Sequence, residues 1–328
     1  MRHNLIPRLD REVSVIGLGT WQLGADWGDV SERDAAAILD AAVDSGVTIF
    51  DTADVYGDGR SESIIGRFLT SNPGLDVFVA TKMGRRSPQE VANYSTRNFR
   101  EWVDRSRRNL RTDRLDLVQL HCPPTAVFSS DEAFDALDGL VSDGSIAGYG
   151  VSVEETGQAL TAIARPGVSS VQIIVNAFRL KPLDDVLPAA RDSGVAIVAR
   201  VPLASGLLSG KYTSNTTFAD NDHRNFNRHG EAFDQGETFS GVDFEQGVEA
   251  AKEFAAVAER QGLSAPVAAL AWVSQLDGVT TVIPGARTAQ QARSNSSAGS
   301  VPVLPGEFSE EVTDIYDRYF KAAVGGRW

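Results

Sequence analysis

Cysteine is almost absent. Cys122 stands alone among 328 residues, which excludes an internal disulfide and a thiolate-rich metal site. Positive charge is also scarce: 31 Lys and Arg face 44 Asp and Glu, for a formal net charge of -13. Such a chain repels phosphate backbones, so no nucleic-acid partner is expected. No apolar run approaches membrane-spanning length. Met1-Arg2-His3-Asn4-Leu5-Ile6-Pro7 has no apolar signal-peptide core. A cytoplasmic protein with no membrane partner is the expectation. No G-x-S-x-G elbow is present, and no Cys, His and carboxylate spacing resembles a metal site, so no metal is expected.

What is present is a 42% hydrophobic fraction with 23% charged residues, enough for one large domain or two ordinary ones. One stretch stands out. Val47-Thr48-Ile49-Phe50 is an apolar run of strand length, followed at once by Asp51-Thr52-Ala53-Asp54-Val55-Tyr56-Gly57. A carboxylate and a phenol at the exit of a buried strand suit a site better than a core.

The rest of the chain repeats that alternation. Segments 5–10 and 11–16 read as a hairpin around Leu9-Asp10-Arg11-Glu12. Ile16-Gly17-Leu18-Gly19-Thr20-Trp21 reads as a strand ending in glycines. Ser31 and Asp34 open a helix that stops at Gly46. Helices near 61–69, 96–111, 131–142, 154–164 and 184–193 lead to strands ending near Lys82, His121, Ser152, Asn176 and Arg200. Helices near 247–261 and 265–275 precede an eighth strand, Val279-Thr280-Thr281-Val282-Ile283-Pro284. Helices near 288–297 and 308–320 close the chain.

Strands that alternate with helices imply a parallel sheet with right-handed crossovers. Eight of them at this length imply an α/β fold, a closed (β/α)8 TIM barrel. The N-terminal β-hairpin is surplus and could cover the barrel bottom. No boundary divides the chain, so residues 1–328 are expected to be a single barrel domain. Segment 201–244, after the seventh strand, breaks the alternation. It reads either as a lid over a ligand or as a mobile insertion.

In such a barrel the strand C-termini converge on one face. Here they carry Asp51, Lys82, His121, Ser152, Asn176 and Arg200. A phenol such as Tyr56 has a reference pKa of about 10, and an ammonium beside it is expected to lower that value. Lys82 can supply the ammonium, Asp51 can hold it, and His121 can orient a substrate oxygen. The set suits proton donation to an oxygen gaining negative charge, with no metal or covalent nucleophile.

These residues resemble a known family. Asp51 to Gly57, with Thr81-Lys82 and Gln119-Leu120-His121, is similar to the aldo-keto reductase superfamily. The resemblance covers nearly the whole chain. It includes Gly19-Thr20-Trp21, Gly150-Val151-Ser152, Pro202-Leu203-Ala204-Ser205-Gly206-Leu207-Leu208-Ser209-Gly210-Lys211 and Ile283-Pro284-Gly285-Ala286-Arg287. It implies hydride transfer from NADPH to an aldehyde or ketone. Tyr56 would be the general acid, and Asp51, Lys82 and His121 would complete its tetrad.

The resemblance also implies the NADP contacts. Gly19, Thr20 and Trp21 would border the cofactor at the first strand. Ser152 and Gln172 would hold the nicotinamide carboxamide. Pro202, Leu203, Ser205, Gly206, Leu208, Gly210 and Lys211 would close over the pyrophosphate. Pro284, Gly285, Arg287, Gln291 and Asn295 would face the adenosine end. Arg287 beside a helix start suits a 2′-phosphate, which favours NADP over NAD.

Two positions depart from the pattern. Val153 replaces an Asn common after the fifth-strand serine. Arg200 replaces an aromatic at the end of the seventh strand, where it could stack on the nicotinamide, bind the pyrophosphate or bind an acidic substrate. Trp21, Trp27, Val55, Tyr56 and segment 201–244 are the candidate pocket for a small-molecule carbonyl substrate. The competing readings are an NADPH-binding sensor or regulatory subunit with slow turnover, and a sugar-phosphate isomerase or aldolase. Neither substrate identity nor oligomeric state is legible.

Overall fold

The computed structural model describes residues 1–24, 30–220 and 222–328. Trp27 lies outside the described residues. The chain opens with an antiparallel hairpin of β1 (His3–Ile6) and β2 (Arg11–Ser14). Its strands are shorter than the pattern predicts. Pro7 begins a 3-10 turn over Pro7–Leu9, which Asp10 closes at φ 47°, and a proline cannot donate to the ladder.

Eight parallel strands follow: β3 (Leu18–Gly19), β4 (Ile49–Asp51), β5 (Phe78–Met83), β6 (Leu117–His121), β7 (Tyr149–Ser152), β8 (Val168–Ile174), β9 (Ala196–Arg200) and β10 (Val279–Val282). They are paired in that order. The sheet curls until its edges meet. Ile16 bridges Val282 and Gly19 bridges Gly285. The Gly17 N–H donates to the Val282 carbonyl at 2.8 Å, and the Val282 N–H donates to Val15 at 3.0 Å. The fold is a (β/α)8 barrel, as its alternation implied. The glycines of the first barrel strand follow from this seam. A Cβ on Gly19 would lie 2.8 Å from the Ile283 carbonyl oxygen, closer than any side chain is tolerated.

Strand parity decides what fills the interior. Near the N-terminal ends Ile49, Phe78, Ala80, Leu117 and Ala196 form a buried apolar cluster with Ile6 and Val13. The hairpin therefore plugs the bottom of the barrel. The same inward parity, carried toward the C-terminal ends, produces Asp51, Lys82, Gln119, His121 and Arg200. Register sets Lys82 beside Gln119, His121 beside Ser152, and Ser152 beside Gln172. On β4, β5, β6 and β9 the inward row is thus apolar at one end for closure and polar at the other.

The outer layer comprises α1 (Glu32–Asp44), α2 (Arg60–Ser71), α3 (Thr96–Leu110), α4 (Asp131–Ser142), α5 (Thr156–Ile163) and α6 (Val186–Asp192). A four-residue turn of helix, α7 (His223–Phe226), interrupts the crossover to α8 (Phe244–Arg260) and α9 (Ala265–Gln275). After β10 come α10 (Ala289–Ser297), α11 (Gly306–Tyr319) and α12 (Lys321–Val324). Caps mark the ends. Ser31 Oγ accepts the Asp34 N–H at 3.1 Å at the start of α1, and Gly46 at φ 84° follows its end. On α3, Phe99, Trp102, Val103 and Leu110 form the buried stripe. Each such side chain contributes about 1.5–3 kcal/mol of burial. Among the described residues no helix is long and apolar enough to cross a membrane.

Segment 201–244 packs by ring contacts that have no sequence period. Tyr212 meets Phe218 at 5.3 Å, Phe218 meets Phe239 at 5.7 Å, and Phe239 meets Phe244 at 5.1 Å. Asn227 stitches the turn: its Oδ1 accepts the Ala232 and Phe233 N–H groups at 2.9 and 2.8 Å. The segment lies against the C-terminal face, where Glu237 pairs with Arg200.

Candidate active site

β4 ends at Asp51 and β5 carries Lys82 inward. Both side chains are buried, and Lys82 Nζ lies 2.5 Å from Asp51 Oδ1. The ammonium also donates to the Thr52 carbonyl at 2.9 Å and to Tyr56 Oη at 3.4 Å. Asp51 Oδ2 accepts from Gln172 Nε2 at 2.7 Å, with Gln119 Nε2 at 3.5 Å. His121, at the end of β6, meets the Tyr56 ring edge-on with centroids 6.0 Å apart. All four expected catalytic positions therefore converge at one mouth.

Charge in this mouth departs from the expectation in one respect. Burial pushes the Tyr56 phenol above its ordinary value, and the charges of Asp51 and Glu237 add to that. Lys82 opposes them but does not prevail, so the ammonium does not lower the phenol below 10. Tyr56 holds its proton. Burial alone would lower Lys82, yet Asp51 and Tyr56 outweigh it and hold the ammonium above its ordinary value. Burial, then Arg85, Lys82 and Arg200, keeps His121 well below its ordinary value. The imidazole is neutral, and its buried Nδ1 has no partner among the described residues.

The other expected site residues divide by what they touch. Ser152 Oγ lies 3.4 Å from Cys122 Sγ. Thr20 Oγ1 donates to the Asp51 carbonyl at 2.8 Å, a role in holding the strand end. Trp21 stacks on Tyr56 with centroids 6.0 Å apart. Gly19 and Pro284 share a backbone hydrogen bond of 3.0 Å. Pro202 and Leu208 are buried, Leu203 and Gly206 half-buried, and Lys211 exposed. Gly210 closes the 3-10 turn Ala204–Ser209 at φ 69°. Ser205 Oγ donates to the Glu237 carbonyl at 2.7 Å and accepts the Phe239 N–H at 3.0 Å. Gln291 Oε1 accepts the Arg287 N–H at 2.7 Å, and Asn295 Nδ2 donates to the Gly285 carbonyl at 3.1 Å. The Arg287 side chain is exposed. Arg200 is not free: its guanidinium pairs with Glu237 and donates to the Val153 carbonyl at 3.0 Å.

Residues 15–317 match the sequence profile of the Aldo/keto reductase family. The chain belongs to that family of oxidoreductases. An aldo-keto reductase of Bacillus subtilis, YhdN, is 30% identical over 99% of this chain and 96% of its own. Another, named yakc with the designation NADP(+), from Schizosaccharomyces pombe, is 28% identical over 91% of this chain and 87% of its own. A solved structure, the glycerol dehydrogenase of Gluconobacter oxydans, superposes with a TM-score of 0.79 at 31% identity, covering 97% of this chain and 95% of that one.

Around the core of this aldo/keto reductase lie residues that sequence reasoning missed. Arg85 pairs with Glu154 at 2.9 Å. Arg179 donates to the Glu154 carbonyl at 2.8 Å and stacks on Trp328 at 3.7 Å. Glu237 reaches Arg200 from a loop far along the chain. Gln119 had a signal, being two residues before His121 on the inward parity. Glu237 had none, because its segment has no period. Asp54 is a different case. It is buried with neither oxygen partnered among the described residues. Burial, then the charge of Glu62, pushes its carboxyl up to about 7 against the pull of Arg86 and Arg105.

Proposed function

We propose that this chain catalyses the reversible, NADP(H)-dependent reduction of an aldehyde or ketone to an alcohol, with Tyr56 as general acid. The observation that carries the reading is the buried contact of Lys82 with both Asp51 and Tyr56. An ammonium enclosed in this way serves one end: it stabilises the phenolate left when Tyr56 releases its proton. His121, neutral, can hydrogen-bond to the oxygen that receives that proton. Gln119 and Gln172 hold Asp51 so that its other oxygen faces Lys82.

The residues present fit NADP(H), which supplies a hydride when bound. Arg287 precedes the nine-residue α10, whose start is capped by Thr288. Its exposed guanidinium has no ion-pair partner among the described residues, and with Gln291 it suits a 2′-phosphate. Ala204, Ser205 and Gly206 take φ values of 47°, 53° and 98° in succession. The turn itself uses two of their N–H groups, Ala204 donating to the Val201 carbonyl at 3.0 Å and Gly206 to the Leu203 carbonyl at 2.9 Å, so of the three the Ser205 N–H is the one left for a pyrophosphate oxygen. Ser152 and Gln172 each keep one polar atom for a carboxamide: the Ser152 hydroxyl as donor and Gln172 Oε1 as acceptor. The NADP(+) designation of the fission-yeast relative supports the same choice. On this reading residues 1–328 act as one barrel domain on a small carbonyl compound in the cytoplasm.

The test is to incubate the protein with NADPH and a panel of aldehydes while following cofactor absorbance. Steady oxidation of NADPH that depends on the aldehyde is expected. Binding of NADPH without turnover across the panel would leave a sensor and sink the enzyme reading.

A further inference from the structure

Three guanidinium groups converge at the barrel mouth on the side of His121. Arg200 donates to the carbonyl of Val153, Arg179 donates to the carbonyl of Glu154, and Arg85 pairs with the Glu154 carboxylate. All three therefore reach one two-residue turn after β7. Their hydrogen-bonding capacity is not filled. Arg179 Nε and Nη1 and Arg200 Nε are buried with no partner among the described residues. Arg179 is 1% exposed and Arg200 6%.

Three carboxylates balance them: Glu154, Asp234 and Glu237. Only Glu154 belongs to the barrel turn. Asp234 and Glu237 both arrive on segment 201–244. Glu237 is held below its ordinary value by Arg200 first, then Arg85, His223 and Arg179, against the effect of burial. It behaves as an anion seated among the three guanidiniums. Without the two carboxylates of the segment, three positive charges would face one negative charge. Glu237 is seated by its ion pair with Arg200 and by its own N–H, which donates to the Asp234 carbonyl at 3.1 Å. Its carbonyl accepts from Ser205, and Gly236 lies beside it, where a Cβ would come 2.3 Å from Arg179 Nη1.

The position of this seat matters. The Glu237 charge is felt at the Tyr56 phenol, and Arg85 and Arg200 act on His121. Arg287 acts instead on Tyr212, at the other end of the segment. The seat therefore borders the proton donor and not the adenosine end. We propose that Arg85, Arg179 and Arg200 form a carboxylate seat, and that the preferred substrates are carbonyl compounds carrying a carboxylate, which takes the place Glu237 holds. The substrate class rests on the proposed reductase activity; the seat itself does not.

The experiment is equilibrium calorimetry on the intact protein with benzoate, with its neutral counterpart benzamide, and with NADPH. Removing the internal anion by Glu237→Gln should tighten benzoate about ten-fold or more, the scale of a hydrogen bond to a charged group. Benzamide and NADPH should shift by less than about two-fold. Arg85→Met in the Glu237→Gln background should abolish the gain. If Glu237→Gln does not fold, Arg85→Met alone should weaken benzoate about ten-fold, because that side chain lies at the partly exposed edge. Unchanged benzoate affinity in either variant overturns the proposal. So does a gain confined to NADPH, which would give the seat to the cofactor phosphates. No turnover with any carbonyl would sink the reductase reading and leave these binding results standing.

Discussion

Asp54 is the side chain whose replacement gives the sharpest physical test. Its carboxyl is buried, 1% exposed, with neither oxygen hydrogen-bonded among the described residues. The groups that face it are Glu62 and Asp58, which oppose its ionisation, and Arg86 and Arg105, which favour it. Neither arginine is free to serve it. Arg86 pairs with Asp58 at 2.6 Å, and Arg105 spends its donors on the Asp54 and Asp58 carbonyls and the Asp58 carboxylate. Burial dominates, and the carboxyl titrates at about 7 in place of 3.8.

The sign follows from linkage. An acid whose folded pKa is raised favours the native state fully only below its unfolded pKa. That contribution is lost as pH climbs from about 4 through 7. A gap of roughly 3 pKa units corresponds to about 4 kcal/mol in all. Between pH 5 and 8 the loss is roughly 3 kcal/mol. Asp54→Asn keeps the shape and removes the titration. The stability of the variant relative to wild type should therefore rise by roughly 3 kcal/mol from pH 5 to pH 8. Urea unfolding of both proteins at intervals of one pH unit measures this. Parallel stability curves would refute the reasoning, since they would mean that Asp54 ionises as easily in the fold as outside it.

Three further outcomes concern the reaction. Tyr56→Phe should keep cofactor affinity and lose carbonyl reduction by about 10²–10⁴-fold, the range for general acid catalysis; near-normal turnover would remove Tyr56 from that role. Lys82→Met should stay folded, lose activity and move the alkaline limb of the pH–rate profile upward, because the phenolate loses its ammonium; an unchanged profile with normal turnover would show that Lys82 does not act on Tyr56. Arg287→Ala should weaken NADPH binding by about 1.5–3 kcal/mol and NADH binding much less; fluorescence titrations with both cofactors check it, and equal losses would place Arg287 away from the 2′-phosphate.

The barrel and the strand-end positions were legible because they are local and periodic. An apolar run of strand length followed by an amphipathic helix announces each βα unit wherever it occurs. Position at the strand ends then names Asp51, Lys82 and His121 without any knowledge of contacts, whereas Gln119, two residues inside its strand, joins the site only through its contact with Asp51. The sequence by itself also determined that glycines crowd the first strand, and the closed seam at Gly17 and Gly19 explains them. Other features were decided only by the tertiary structure. The order of the strands brings β4, β5 and β8 close enough for Asp51 to hold Lys82 and Gln172 together. Burial, which no residue type carries by itself, raised the Tyr56 phenol where a neighbouring ammonium was expected to lower it. Arg200 illustrates the same limit. Its place at a strand end was readable, but its partner Glu237 lies on a segment held by ring contacts and by the Asn227 amide. Such contacts join residues distant in sequence and repeat at no interval, so only the folded chain could pair them.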